Sequence, residues 1–203
     1  GEIQFENFNA ASAEVVVHGV NVHPGSAKDI MKNAQTIAME FHGMLPKDAC
    51  PEKTEGYEGF YHLTDFNGNV EQAVMKYIIR DFDSTLFEEK QEKMRQAAAQ
   101  INTIYGEGTA EVKLEESYRN MREKIEPCMQ LIDYAKEACK EAGVEPDIAP
   151  IRGGTDGARL SFRGLPCPNL GTGGDGFHGP FEHITVEGMD QSVEIIKNII
   201  KKM

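Results

Sequence analysis

Apolar and polar positions alternate along several short stretches of the chain and recur every three or four residues along others. A strand-like run, Ile3 to Phe8, opens it. Ala13 to Val20 is rich in β-branched residues and reads as a second strand, broken by Asn21-Val22-His23-Pro24-Gly25. Ile30, Ala34, Ile37, Ala38, Phe41 and Leu45 then keep helical spacing, which predicts a helix capped by Ser26 and ended by Pro46. Phe60 to Phe66 and Ala73 to Phe82 predict two strands flanking the turn Asn67-Gly68-Asn69. Ser84 is placed to cap a long amphipathic helix running to about Ile104 and closed by Gly106 and Gly108, and Ala110 to Glu116 alternates as a strand. The order β-α-β-β-α-β describes a ferredoxin-like sandwich of about 100 residues.

Beyond Pro127 the character changes. A helix is predicted from about Met129 to Ala142, then a glycine-rich segment at 152–157, a short strand at Asn169-Leu170, a His-bearing glycine loop, and a last helix from about Met189. This tail is α/β in type but has too few strands for a sheet of its own, so it is expected to pack on strands supplied from elsewhere. At 203 residues the chain suits one large or two small domains.

Charge and cysteine usage narrow the function classes. Lys and Arg total 21 against 33 Asp and Glu, a formal net charge of -12, which disfavours nucleic acid as a partner. No run approaches the roughly 18 apolar residues of a membrane span, and no signal peptide opens the chain, so a cytoplasmic protein without a membrane partner is expected. Cys50, Cys128, Cys139 and Cys167 form no CxxC pair and read as reduced thiols. The first residue is Gly1 rather than Met, and a strand begins almost at once, so the sequence is expected to be part of something longer.

Four segments could carry chemistry. In Asn21-Val22-His23-Pro24-Gly25 an imidazole stands at a strand end, either bonding its own loop or meeting a ligand. Arg80, between Ile79 and Asp81, shares a strand face with Ile78 and Phe82, where it can pair with a neighbouring carboxylate or present its fork to a substrate's. In Arg152-Gly153-Gly154-Thr155-Asp156-Gly157, Thr155 or Asp156 can cap a helix from near Ala158, either as a plain capped turn or as an anion site with Arg152 adding charge. Gly173 to His183 sets His178 and His183 beside Asp175 and Glu182, but one His without a second ligand at a recognised spacing is weak evidence for a metal. His18, His42 and His62 lie within predicted elements and read as structural or surface residues.

Read together, Asn21 to Gly25, Thr54 to Leu63, Ile78 to Asp83, Asn120 to Lys124, Arg152 to Gly157, Pro166 to Leu170 and Thr172-Gly173-Gly174 with the His178-Gly179 loop resemble, in this order, the peptidase T family of tripeptide aminopeptidases. These are two-zinc exopeptidases related to carboxypeptidase G and aminoacylase. The resemblance covers essentially the whole chain. It implies an α/β catalytic domain interrupted by a ferredoxin-like α+β lid that also forms a homodimer. Residues 1–11 and 121–203 would belong to the catalytic domain and residues 12–120 to the lid. By the same resemblance His178 is a zinc ligand, and His23 reaches a neighbouring subunit's site to stabilise the tetrahedral oxyanion. Arg80 and Arg152 hold the carboxylate end of the tripeptide. The implied chemistry is attack by a metal-bound water on a polarised carbonyl, with a glutamate taking the proton.

The family's other zinc ligands and its general base belong to segments that precede the first strand here, and Glu2, Glu6, Asp156 and Glu182 do not fall in its ligand motifs. The chain alone is therefore expected not to hold the zinc pair and to be inactive. Two alternatives stand beside this reading: a non-catalytic lid and dimerisation module as it is, or a related zinc carboxypeptidase or deacylase.

Overall fold

Val15, Val17, Met75, Tyr77 and Ile79 turn to one side of their strands and are buried there, and this alternation decides the larger sheet of the molecule. The computed structural model describes residues 1–202. They form two units, one of Phe8–Tyr118 and one of Gly1–Asn7 with the residues from Arg119 onward. The first strand, β1 (Glu2–Gln4), belongs to the second unit.

The Phe8–Tyr118 unit runs β2 (Asn9–His18), α1 (Ala34–Gly43), β3 (Phe60–Gly68), β4 (Gln72–Asp81), α2 (Ser84–Tyr105) and β5 (Ala110–Tyr118). Its sheet is antiparallel in the order β3-β4-β2-β5, the ferredoxin-like arrangement expected of the sequence. Ile37 and Phe41 from α1 and Phe87, Met94 and Ile101 from α2 bury themselves on the apolar sheet face. Each such side chain contributes about 1.5–3 kcal/mol, so this unit holds a complete core of its own.

Local expectations fail where capping decides. Ser26 does not cap α1: it closes a single 3-10 turn, Pro24–Ser26, and the helix starts at Ala34. Asn33 caps it, its Oδ1 accepting the amides of Gln35 and Thr36 at 3.0 and 3.4 Å. A bridge between Val20 and Lys32 ties down the intervening segment, and Ile30, counted in the helical pattern, is 55% exposed. Ser84 is the first residue of α2, and its cap is Asp83, whose Oδ1 accepts the Leu86 amide at 2.9 Å. The β3–β4 turn is held by Asn69, whose Oδ1 accepts the amides of Glu71 and Gln72.

The second unit continues with α3 (Arg122–Ile125), α4 (Gln130–Glu141), β6 (Asp147–Ile148), α5 (Asp156–Phe162), β7 (Asn169–Leu170), β8 (Gly174–Asp175), β9 (His183–Ile184) and α6 (Val186–Lys202). Its three-stranded sheet has β1 in the middle, parallel to β6 and antiparallel to β7. The tail's missing strand is thus supplied by residues 2–4. Ile3 is fully buried with Met121, Ile125, Ile132, Ala138, Ala158 and Ile195. One side of α6 joins this core, while Val186, Met189, Val193, Ile196 and Ile200, spaced at three and four, are exposed.

Where the chain leaves this unit and returns to it, Asn7 is wholly buried. Its Oδ1 accepts the Met121 amide at 2.9 Å, its Nδ2 donates to the Arg119 carbonyl at 3.1 Å, and its own amide donates to Asn120 Oδ1 at 3.2 Å.

Candidate functional site

His23 follows β2 in an exposed turn with φ -57° and ψ 127°. Its Nδ1 accepts the Gly25 amide at 3.1 Å. A Cβ at position 25 would stand 3.1–3.2 Å from the ring, so glycine lets the imidazole fold back this closely. With Nδ1 accepting, the neutral ring carries its proton on Nε2, which makes that nitrogen a donor.

Arg80 lies near the end of β4, half-buried, on the sheet face away from the helices, with Val74, Lys76 and Ile78. Among the described residues no salt bridge joins it to a carboxylate. Both Nη1 hydrogens go to backbone carbonyls, Ala11 at 3.2 Å and Ile79 at 2.9 Å, and the guanidinium lies 5.5 Å from the centre of the Tyr118 ring. Burial pulls its pKa below the ordinary arginine value while Tyr118 works in the opposite direction. An arginine stays charged under such a shift at any ordinary pH.

His23 and Arg80 do not meet within one chain. The register sets His18 opposite Gln72 and Ala10 opposite Arg80. Eight residues of strand therefore separate the two ends of this pairing, about 27 Å at 3.4 Å per residue, and His23 lies beyond the far end.

In the second unit Arg152 is exposed, one residue after the bridge between Asn7 and Ile151. Thr155, not Asp156, caps α5, its Oγ1 accepting the Ala158 amide at 3.3 Å and the Asn169 side-chain amide at 3.1 Å. Gly157 is needed for close approach: a Cβ there would stand 2.5 Å from the Cys167 carbonyl oxygen and 2.6 Å from Asn169 Oδ1.

His178 sits exposed in the loop between β8 and β9 with a left-handed φ of 64°, and its amide donates to the Glu182 carboxylate at 3.0 Å. Asp175 and His183 face each other across the hairpin, and His183 Nδ1 lies 2.9 Å from the Phe181 carbonyl oxygen. Among the described residues no three His, Cys, Asp or Glu side chains come together in a way that could hold a metal ion, so the donors of this chain do not fit a two-zinc centre by themselves. No helix among them is long and apolar enough to cross a membrane.

Two features escape reasoning from sequence. One is Tyr118, which lies beyond the predicted end of its strand. The other is a cavity of about 620 Å³ beside β3, lined by His42, Leu45, Cys50, Glu52, Tyr61 and His62 among others. At its wall His42 turns its Nδ1 to the buried Tyr77 hydroxyl, 3.1 Å away.

The peptidase dimerisation domain family matches residues 5–109. Peptidase T of Clostridium novyi is 54% identical over 201 residues, 99% of this chain and 49% of that protein. Peptidase T of Clostridium perfringens is 55% identical over 201 residues, 99% of this chain and 50% of its own length. The chain thus spans about half the length of the curated relatives it matches. Among solved structures, aminopeptidase PepT from Bacillus cereus superposes with a TM-score of 0.85 at 22% identity, over 100% of this chain and 54% of that one. A tripeptidase from Staphylococcus aureus gives 0.86 at 19% identity, over 99% and 53%. At these identities the superpositions speak for the fold alone.

Proposed function

Since the chain belongs to the peptidase dimerisation domain family, we propose that it is the lid and part of the catalytic domain of a cytoplasmic, zinc-dependent aminopeptidase that releases the N-terminal residue of tripeptides, with lids pairing two copies. The observation that carries this is the continuous identity to peptidase T sequences across 99% of the chain, through both units rather than the lid alone. The exposed apolar side of α6 supports a catalytic unit that is larger in the working enzyme, because helices of α/β proteins set such stripes against a sheet.

Each residue then has a role suited to its chemistry. His23, with its proton on Nε2, donates to the oxyanion that forms as the scissile carbonyl becomes tetrahedral. Its distance from Arg80 along the sheet supports service to the site of the second copy rather than to one shared with Arg80. Arg80 and Arg152 hold the substrate's free carboxylate, which fixes the length of peptide accepted. His178 would contribute one ligand to a zinc pair whose other donors come from outside this chain.

The 203-residue chain on its own fits a second reading, a non-catalytic dimerisation module, which the lid's complete core favours. Trialanine hydrolysis with added zinc separates the two. The proposal expects no turnover by the 203 residues alone and turnover by a chain extended to the length of its relatives. Turnover by the short chain would overturn the ligand count, and none by the extended chain would overturn the aminopeptidase.

A further inference from the structure

Four residues, one from each strand, form a row across the face of the lid sheet that is turned away from its helices: Phe60, Arg80, Ala10 and Tyr118. Opposite residues of antiparallel strands point to the same side, so their side chains are neighbours. Tyr118 stands in this row only because β5 breaks register. Ala11 pairs with Glu116 but Ala10 pairs with Tyr118, leaving Ser117 as an extra residue. Regular alternation from Ala110 would set Tyr118 on the helix side with Val112, Leu114 and Glu116; the bulge turns it over to the side of Arg80. Ala10, the smallest member, lets the Arg80 side chain lie across β2 to reach the ring two strands away, a span of about 10 Å at 4.8 Å per strand.

The guanidinium is consequently held on two sides. Nη1 is spent on the Ala11 and Ile79 carbonyls, and the ring lies 5.5 Å from its carbon. Three N–H groups remain on Nε and Nη2, enough for the Tyr118 hydroxyl and for a two-pronged grip on a carboxylate. The geometry points to Tyr118 as the positioning residue that holds the Arg80 fork ready for the carboxylate end of a peptide. This rests on the reading of Arg80 above as a carboxylate holder. Tyr118 acts through Arg80, and a ring is what the position requires.

The test uses the 203-residue chain labelled with 15N, the Arg80 Nε–Hε signal being assigned by its loss in Arg80→Lys. Without ligand, the heteronuclear NOE should show Arg80 ordered while Arg95, half-exposed on α2, is mobile. Tyr118→Leu should make Arg80 mobile, and Tyr118→Phe, which keeps the ring, should restore its order. An Arg80 as mobile as Arg95 in the unsubstituted chain, or one still ordered in Tyr118→Leu, overturns the proposal; the first comparison decides even if Tyr118→Leu does not fold. Trialanine should shift the Arg80 signal and trialanine amide should not, with affinity falling about fivefold in Tyr118→Leu, as expected for loss of a cation–π contact, and returning in Tyr118→Phe. Ordered Arg80 without a trialanine shift would overturn the carboxylate reading and leave the positioning intact.

Discussion

Lys90→Met should destabilise the Phe8–Tyr118 unit by about 3 kcal/mol. The Asp81 carboxylate is only 2% exposed, and its Oδ2 meets Lys90 Nζ at 2.8 Å, with Lys90 itself 17% exposed. Gly59 is packed against that oxygen so closely that a Cβ would stand 2.2 Å from it, which leaves the carboxylate little room to turn toward water. Removing one partner of a buried pair costs about 3–5 kcal/mol, because the other charge stays desolvated. The lower end applies here, since Lys90 reaches solvent and Asp81 Oδ1 keeps the Asp83 amide at 3.0 Å. Methionine preserves most of the aliphatic stem, so the loss reports charge rather than a cavity. At roughly 4–8 °C per kcal/mol for a domain of this size, the melting transition of this unit should fall by about 12–24 °C. Urea unfolding followed by circular dichroism gives the free energy, and adding Asp81→Asn to Lys90→Met should recover about half of it. A loss below about 1 kcal/mol, or no recovery in the double variant, would refute the reasoning that Asp81 is a charge held in place by Lys90.

Three further outcomes follow from the geometry. Burial raises the Tyr61 and Tyr77 hydroxyls above the ordinary tyrosine value; unfolded tyrosines lose protons first, so stability should stay level below about pH 10 and fall above it by about 1.4 kcal/mol per pH unit per tyrosine, and chemical unfolding of Tyr77→Phe across that range should show a shallower fall. Gly157→Ala should cost about 2 kcal/mol in thermal unfolding by pushing Cys167 and Asn169 away from α5, whereas Gly153→Ala, whose nearest neighbour would be Ile151 Cγ2 at 3.8 Å, should cost under about 0.5 kcal/mol; equal effects would refute the close-approach argument. In the full-length enzyme, mixing His23→Ala with His178→Ala subunits should restore activity through hybrid dimers, and proven hybrids without activity would count against a histidine working across the interface.

The Phe8–Tyr118 unit was legible because its strands are long enough to show a period. Ala13, Val15 and Val17 alternate, as do Met75, Tyr77 and Ile79, and turn and helix signals lie between them. Two-residue strands such as β6, β8 and β9 carry no period at all, so the hairpin around His178 could not be read from pattern. Ser26 is a good cap by residue type, but the Val20–Lys32 bridge holds the segment after it and Asn33 accepts the first helical amides instead, a long-range contact that local pattern does not show. The candidate residues themselves were visible as exceptions: an arginine in an apolar strand, a histidine before Pro-Gly. Their partners were not, because Tyr118 reaches Arg80 through a change of register, and register belongs to pairs of strands rather than to either sequence.

Asn7 and Asn120 are bonded to each other although 113 positions apart, and Ala10 is paired with Tyr118 inside the lid. Seen from the unit that holds β1, the whole Phe8–Tyr118 unit is one loop of roughly 110 residues whose ends must meet. For a slack chain of that length, closure costs about 3.5 kcal/mol more than for a two-residue turn. Once folded, the Phe8–Tyr118 unit delivers both ends side by side at strand spacing and removes that cost. The fold therefore favours an order of assembly, this unit first, with the Asn7 clamp and the β1–β6 pairing forming cheaply afterwards. Damage to its core would then be felt as slow or failed assembly of a unit that shares none of its side chains.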